Sequence, residues 1–261
     1  MMHGDIMSKK KLIIIFICFI IFIPFSTLLI KHYQSKDGLP IIGYHNVVSD
    51  EDKETKYKSN RYTLSVSQFK EHMQYLYDHH YQTLTMDEVN EYYLGNLIIN
   101  ENSVVLTFDD GYKDFNRIVK PILEEYGFHG TCFVIGKHVN DNNPMFLKEE
   151  DIQNNETTSY YSHSFDLHRT VNGFDKKIIE TMSLEEINED FQKNPVDCTY
   201  FAYPYGRTVD HIDEVLENNH VQLAFCYNQF KNMTPQDNRY YLPRYMFVDI
   251  MPMFYFKYIV Q

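Results

Sequence analysis

Apolar positions along this chain fall into one long run and a series of short ones. From Leu12 to Ile30 no residue is charged, and Lys9, Lys10 and Lys11 stand directly before the run. A helix of about 20 apolar residues spans a bilayer. The stretch 12–30 therefore predicts a transmembrane anchor, with residues 1–11 as a short cytoplasmic N-terminus and the positive flank placing the rest of the chain outside. Ser26 and Thr27 leave room for cleavage of the same stretch as a signal segment, which would release a secreted or surface-associated form. Residues 31–38 read as a polar stalk, and residues 39–261 as one domain.

Within that domain the apolar runs are short. Leu39 to His45, Ser103 to Phe108, Gly130 to Ile135, Tyr160 to His163, Tyr200 to Pro204, Val221 to Tyr227 and Tyr241 to Val248 read as strands or strand ends. Helical spacing lies between them. Phe69, Met73 and Leu76 follow a cap at Ser67, and Thr85-Met-Asp-Glu88 and Ser183-Leu-Glu-Glu186 are capping boxes. Asp114 to Tyr126 reads as a helix locally relaxed at Pro121 and closed by Gly127. Asp210 to Glu217 is a further helix, and a short one is expected near Phe146 to Ile152. Val48 to Tyr62 is polar and reads as a loop. Alternation of this kind predicts parallel strands joined by crossovers, and either a barrel or an open doubly wound sheet fits. In both, the C-terminal ends of strands carry the site.

Composition narrows the partners. Apolar residues make up 44% and aromatic residues 16% of the 261 positions, enough for a sizeable core. The formal net charge is -12, and no basic stripe follows the first apolar run, which argues against nucleic acid and fits a neutral or partly cationic polymer. Cys18, Cys132, Cys198 and Cys226 match no zinc-ligand spacing, and Cys132 and Cys226 read as buried thiols.

The candidate chemistry sits at strand ends. Asp109 and Asp110 close one strand, and adjacent residues there project differently, so one carboxylate can bind a metal while the other faces substrate. His163 and His168 lie on a loop after another strand. With Asp110 they make two imidazoles and a carboxylate, a ligand set that leaves positions open for water or substrate. A hydrolase built on it needs a base to take the water's proton, for which Asp109 is placed. It needs an oxyanion donor, for which the backbone N–H at Tyr205 is suited, and an acid for the leaving amine, for which His45 has the right pKa range. Arg244 could pair with Asp109 and orient it.

Three segments carry a family resemblance: Thr107-Phe-Asp-Asp-Gly111, Ser162-His-Ser-Phe-Asp-Leu-His168 and Phe201-Ala-Tyr-Pro-Tyr-Gly206. In this order the chain resembles the polysaccharide deacetylases, carbohydrate esterase family 4, over about residues 38 to 250. The resemblance implies a distorted (β/α)7 barrel, here preceded by the transmembrane helix. It implies Asp109 as general base, Asp110, His163 and His168 as metal ligands, and Tyr205 as backbone oxyanion donor. The metal would be a divalent ion, zinc in the first place, with cobalt, nickel or iron also suited.

The chain departs from the commonest pattern of that family. The histidines are spaced i, i+5 rather than i, i+4, Ala202 lies where many members have an arginine nearby, and no Leu-x-His segment follows Tyr245 to supply the acid. Tyr44-His-Asn-Val47 resembles the opening of the branch that deacetylates poly-β-1,6-N-acetyl-D-glucosamine, in which the acid histidine comes from the start of the domain. His45 then fills that role, and Leu242-Pro-Arg244 matches the segment that orients the base. The resemblance implies removal of N-acetyl groups from this exopolysaccharide at the cell membrane, by a catalytic domain lying outside the cell. The partners it implies are an N-acetylglucosamine polymer, the membrane and the exopolysaccharide synthesis machinery. A peptidoglycan or chitin-type deacetylase is the alternative within the family. A surface glycan-binding module with a decayed site is the alternative outside it.

Overall fold

The computed structural model describes residues 37–171 and 175–261. Its centre is a ring of parallel strands. In chain order the strands are β1 (Ile41–Tyr44), β2 (Asn46–Val48), β3 (Thr63–Ser65), β4 (Gln82–Thr83), β5 (Ser103–Phe108), β6 (Gly130–Val134), β7 (Thr158–Ser162), β8 (Tyr200–Ala202), β9 (Leu223–Tyr227) and β10 (Leu242–Met246). Pairing runs β1-β10-β9-β8-β7-β6-β5, and β5 returns to β1. Ile42 is the register point of closure, opposite Tyr245 on one side and Leu106 on the other. Closure selects the barrel over the open sheet. The short β4 joins only the first two residues of β5, and β2 and β3 form a separate parallel pair, which distorts the regular barrel plan.

Strand alternation divides the core in two. Ile41, Val105, Phe133, Tyr161, Tyr200, Ala202, Leu223, Phe225 and Leu242 form one buried cluster. Their neighbours one residue on point the other way: Ile42, Leu106 and Val134 meet one set of flanking groups, Phe201 and Ala224 another. A two-residue period directs the first set into the barrel and the second out toward the helices. Helices Val66–Asp78 and Met253–Val260 cover one flank, and Leu184–Lys193 and Ile212–Asn218 another.

The local start signals largely hold. Thr85 and Ser183 form capping boxes with Glu88 and Glu186. Helix Val66–Asp78, however, is capped by Ser65 with Gln68, two residues before the expected Ser67, whose hydroxyl donates to Asp50 instead. The run from Asp114 to Tyr126 is helical as expected, and it is relaxed at Pro121 by a π turn, Phe115–Val119, that leads directly into helix Lys120–Tyr126. Phe146 to Ile152 holds one 3-10 turn, Glu149–Asp151, rather than a helix. The segment read as a loop contains helix Asp50–Thr55, and helix Met253–Val260 gave no sequence signal used above. Cys132 is buried, while Cys226 is only half-buried.

The expected membrane anchor is corrected. Among the described residues no helix is long and apolar enough to cross a membrane. The longest of them, Val66–Asp78, has 13 residues. It reaches about 20 Å, against a hydrocarbon core of about 30 Å. The segment 12–30 lies outside the described residues. The transmembrane helix, the cell-membrane localisation with its outside domain, the membrane as a partner, and the secreted form are therefore not part of the picture developed below.

One buried histidine gives this flank a pH dependence. His72 stacks on Phe256 at 4.1 Å between ring centroids, meets Phe247 edge-on, and accepts at Nδ1 from the Tyr44 hydroxyl at 3.0 Å. Burial pushes its pKa down to about 3. The unfolded chain thus binds a proton below about 6.5 that the folded chain refuses, so stability falls as pH drops from there toward 3. The limiting slope is about 1.4 kcal/mol per pH unit. Urea unfolding of the wild type and His72→Gln across this range is expected to give curves that converge as pH falls; parallel curves would contradict it.

Candidate metal centre and active-site cavity

The same alternation that builds the barrel interior builds the site. Two residues beyond Val105 and Tyr161 on the inward set come Thr107 and His163; beyond Phe225 and Leu242 come Tyr227 and Arg244; and Asp109 follows Thr107. Thr107, Asp109, His163 and Arg244 are all buried, so the apolar interior ends in a polar layer at the C-terminal strand ends. Asp109 still belongs to the ladder, its N–H donating to the Tyr44 carbonyl at 2.8 Å.

The loops then turn sharply. Asp110, Ser164 and Tyr205 have φ values of 77°, 70° and 58°, in the left-handed region that non-glycine residues rarely occupy. Such strain concentrates at functional sites. Gly111 also has positive φ, and a Cβ there would come within 2.8 Å of the Val134 side chain, so the turn requires glycine. After His163, the left-handed Ser164 and two bonds from the Phe165 and Asp166 N–H groups to the Asp190 carboxylate curl the loop. That curl returns His168 to His163 despite the i, i+5 spacing.

Asp110, His163 and His168 converge, with ligand atoms within 4.8 Å of one another. His163 Nε2 lies 3.6 Å and His168 Nε2 3.3 Å from Asp110 Oδ1. His163 Nδ1 donates to the Ala202 carbonyl at 2.7 Å, which fixes the tautomer and leaves Nε2 as a free lone pair. His163 Nε2 and Asp110 Oδ1 are buried with no hydrogen-bond partner. Burial lowers the pKa of both histidines, to about 3 for His163, keeping them neutral as metal ligands must be. Burial, with the charge of Asp109 adding to it, raises Asp110 to about 6 despite the opposing effect of His45. Two orphaned acceptors and a carboxylate destabilised without a cation fit a divalent ion. The three residues form a cluster able to coordinate one.

Asp109 is held from beneath. Arg244 Nη1 and Nη2 donate to its two carboxylate oxygens at 2.8 and 2.9 Å, and the Tyr227 hydroxyl donates to Oδ2 at 2.9 Å. Burial works to raise the Asp109 pKa, but the Arg244 charge, with His163, outweighs it and holds the carboxyl well below the usual range. The guanidinium also donates to Thr107 Oγ1 at 3.1 Å and lies 5.2 Å from the centroid of the Phe133 ring.

Above these residues opens a cavity of about 460 Å³ lined by His45, Asn60, Tyr62, Asp110, Tyr112, His168, Lys177, Tyr205, Arg207 and Tyr227. His45 therefore shares the cavity with Asp110, 65 residues further along the chain, with its Nδ1 buried and unpartnered and its ring 4.8 Å from Tyr62. Another histidine near this end of the barrel, His138 in the short helix Gly136–Val139 after β6, is instead bound at Nδ1 to Asp141 at 2.6 Å and stacked on Phe146. The Tyr205 ring stacks on His168 at 4.2 Å.

Sequence reasoning missed Tyr227, Asn60, Tyr62, Tyr112, Lys177 and Arg207. Tyr227 had a signal, since it ends a predicted strand two residues after the inward Phe225. Asn60 and Tyr62 had none, because their place depends on Lys53. Its buried ammonium donates to the carbonyls of Tyr57 and Asn60 and to Asp249 at 2.6 Å, stapling this segment over His45.

A family model described as polysaccharide deacetylase matches residues 99–224. The poly-beta-1,6-N-acetyl-D-glucosamine N-deacetylase of Staphylococcus aureus strain MRSA252 is 26% identical over 282 residues, covering 93% of this chain and 94% of that protein. YxkH of Bacillus subtilis strain 168, provisionally named a polysaccharide deacetylase, is 27% identical over 197 residues. That match covers 71% of this chain, and the chain spans only 63% of YxkH. Among solved structures, IcaB from Ammonifex degensii superposes with a TM-score of 0.69 at 21% identity, over 87% of this chain and 99% of that one, a likeness of fold.

Proposed function

The chain belongs to the polysaccharide deacetylase superfamily, carbohydrate esterase family 4, and from that premise we propose that it removes N-acetyl groups from poly-β-1,6-N-acetyl-D-glucosamine, releasing acetate and leaving free amines. The observation that carries the reaction class is the convergence of Asp110, His163 and His168 beside the Arg244-bound Asp109 at the floor of one cavity. The choice of polymer is supported by the near full-length similarity to the staphylococcal enzyme and by the position of His45 at the end of the first barrel strand, β1.

When bound, a divalent ion polarises the amide carbonyl and lowers the pKa of its water; zinc is our first choice, and cobalt, nickel or iron suit the same ligands. Asp109, ionised at neutral pH, accepts the proton of the attacking water. Arg244 and Tyr227 fix the direction of that carboxylate. The Tyr205 N–H donates to the carbonyl oxygen as it turns negative. His45, which lines the same cavity, gives a proton to the departing amine.

Acetate release from defined oligomers tests this reading. After chelation and metal add-back, β-1,6-linked N-acetylglucosamine oligomers are expected to yield acetate, and chitin and peptidoglycan oligomers little. Release from the latter alone would overturn the polymer assignment, and release from none would overturn the reaction.

A further inference from the structure

Each turnover of the proposed reaction turns a neutral amide into an ammonium, and the cavity rim meets that charge on the next sugar. Lys177 and Arg207 line the rim with His45, His168 and Tyr205, and Asp110 is the one carboxylate among the lining residues. Lys177 Nζ sits 4.2 Å from the centroid of the Tyr205 ring, which also stacks on His168 at 4.2 Å. The Tyr205 ring thus touches both the lysine and His168 of the metal cluster. Arg207 approaches Glu180 at 4.0 Å, and the same carboxylate accepts the Lys177 backbone N–H at 3.0 Å, so Glu180 offsets part of the rim's positive charge. Beneath, the charge of Asp109 is already matched by Arg244, and that of Asp110 faces the place of a dication. The whole chain carries -12, yet this rim presents positive charge to the sugars flanking the target.

We propose that Lys177 and Arg207 make the site select by charge, favouring a target flanked by N-acetylated sugars over one whose neighbour already bears a free amine. The proposal rests on the deacetylase reading and extends it to the pattern of the product: isolated amines before adjacent ones. At separations of roughly 8 Å through water, two cations together disfavour a third about fivefold, and one net charge about twofold; the Glu180 carboxylate places this rim between the two. The effect is screened by salt, with a Debye length of about 10 Å at 0.1 M.

The test compares kcat/KM for a β-1,6-linked N-acetylglucosamine trimer with that for the same trimer carrying one flanking amine, at low and high salt. The full chain is expected to prefer the acetylated trimer about two- to fivefold at low salt, and the ratio should fall toward one at high salt. Lys177→Gln combined with Arg207→Gln should abolish the preference, while Lys177→Arg should keep it. The ratio is taken within each protein, so a general loss of activity does not disturb it. Calorimetric affinities for the two trimers serve for any variant too slow to assay. A ratio near one in the wild type, or one unchanged by the double substitution and by salt, overturns the proposal. If neither trimer releases acetate, the deacetylase reading falls, and the affinities still decide the charge selection.

Discussion

His163→Ala and His168→Ala are each expected to lose most of the bound metal and nearly all turnover. His163 is fully buried and cannot be replaced by solvent without a cavity, and its Nδ1 bond to Ala202 shows that the ring is set for Nε2 coordination. His168 lies on the cavity side, where a water could take its place, so its loss should leave more residual metal than that of His163. Asp110→Asn should behave like the histidine variants, since the amide lacks the charge that offsets a dication. Asp109→Asn should part company with them: its carboxylate is engaged by Arg244 and Tyr227 rather than turned to the cluster, so metal should remain while turnover collapses. Metal content by elemental analysis, read beside acetate release, checks all four. Equal metal loss in all of them would show that Asp109 is a ligand and that the base lies elsewhere.

His45→Ala should keep fold and metal and lose roughly 10²-fold or more in amide turnover, the usual contribution of a general acid. An amine is a poor leaving group until protonated, and the proposed reaction uses Asp109 on the water side. His45 shares the cavity with Asp110 and His168, and its buried Nδ1 has no partner, whereas the Nδ1 of His138 is occupied by Asp141. On an activated ester, whose leaving group needs little protonation, the loss should shrink to a few-fold, on the order of the lower limit for such catalysis. His138→Ala should stay close to wild type. A reversal, with His45→Ala active on the amide and His138→Ala inactive, would refute the assignment of the acid.

Much of the site was legible because strand ends write themselves locally. An apolar run that stops at Asp109-Asp110-Gly111 or at His163 states both the strand and the place where its chemistry begins, and capping boxes at Thr85 and Ser183 state where helices start. The polar segment after Val48 was misread for the opposite reason. Its helix and its placement over His45 depend on the Lys53–Asp249 pair, 196 residues apart, and no local pattern announces such a contact.

The sequence by itself determined the parallel α/β character, the inward and outward sets on each strand, and the residue types available for a metal and a proton relay. Tertiary structure alone decided that the sheet closes, with Ile42 between Tyr245 and Leu106, because alternation orients a side chain but does not choose its strand's neighbours. Closure is what brings Arg244 to Asp109 across 135 residues, returns Tyr227 to the same carboxylate, and brings His45 into one cavity with His168. Such pairings are a property of register around the whole ring: each strand fixes only its own period, and the site exists where seven of them meet.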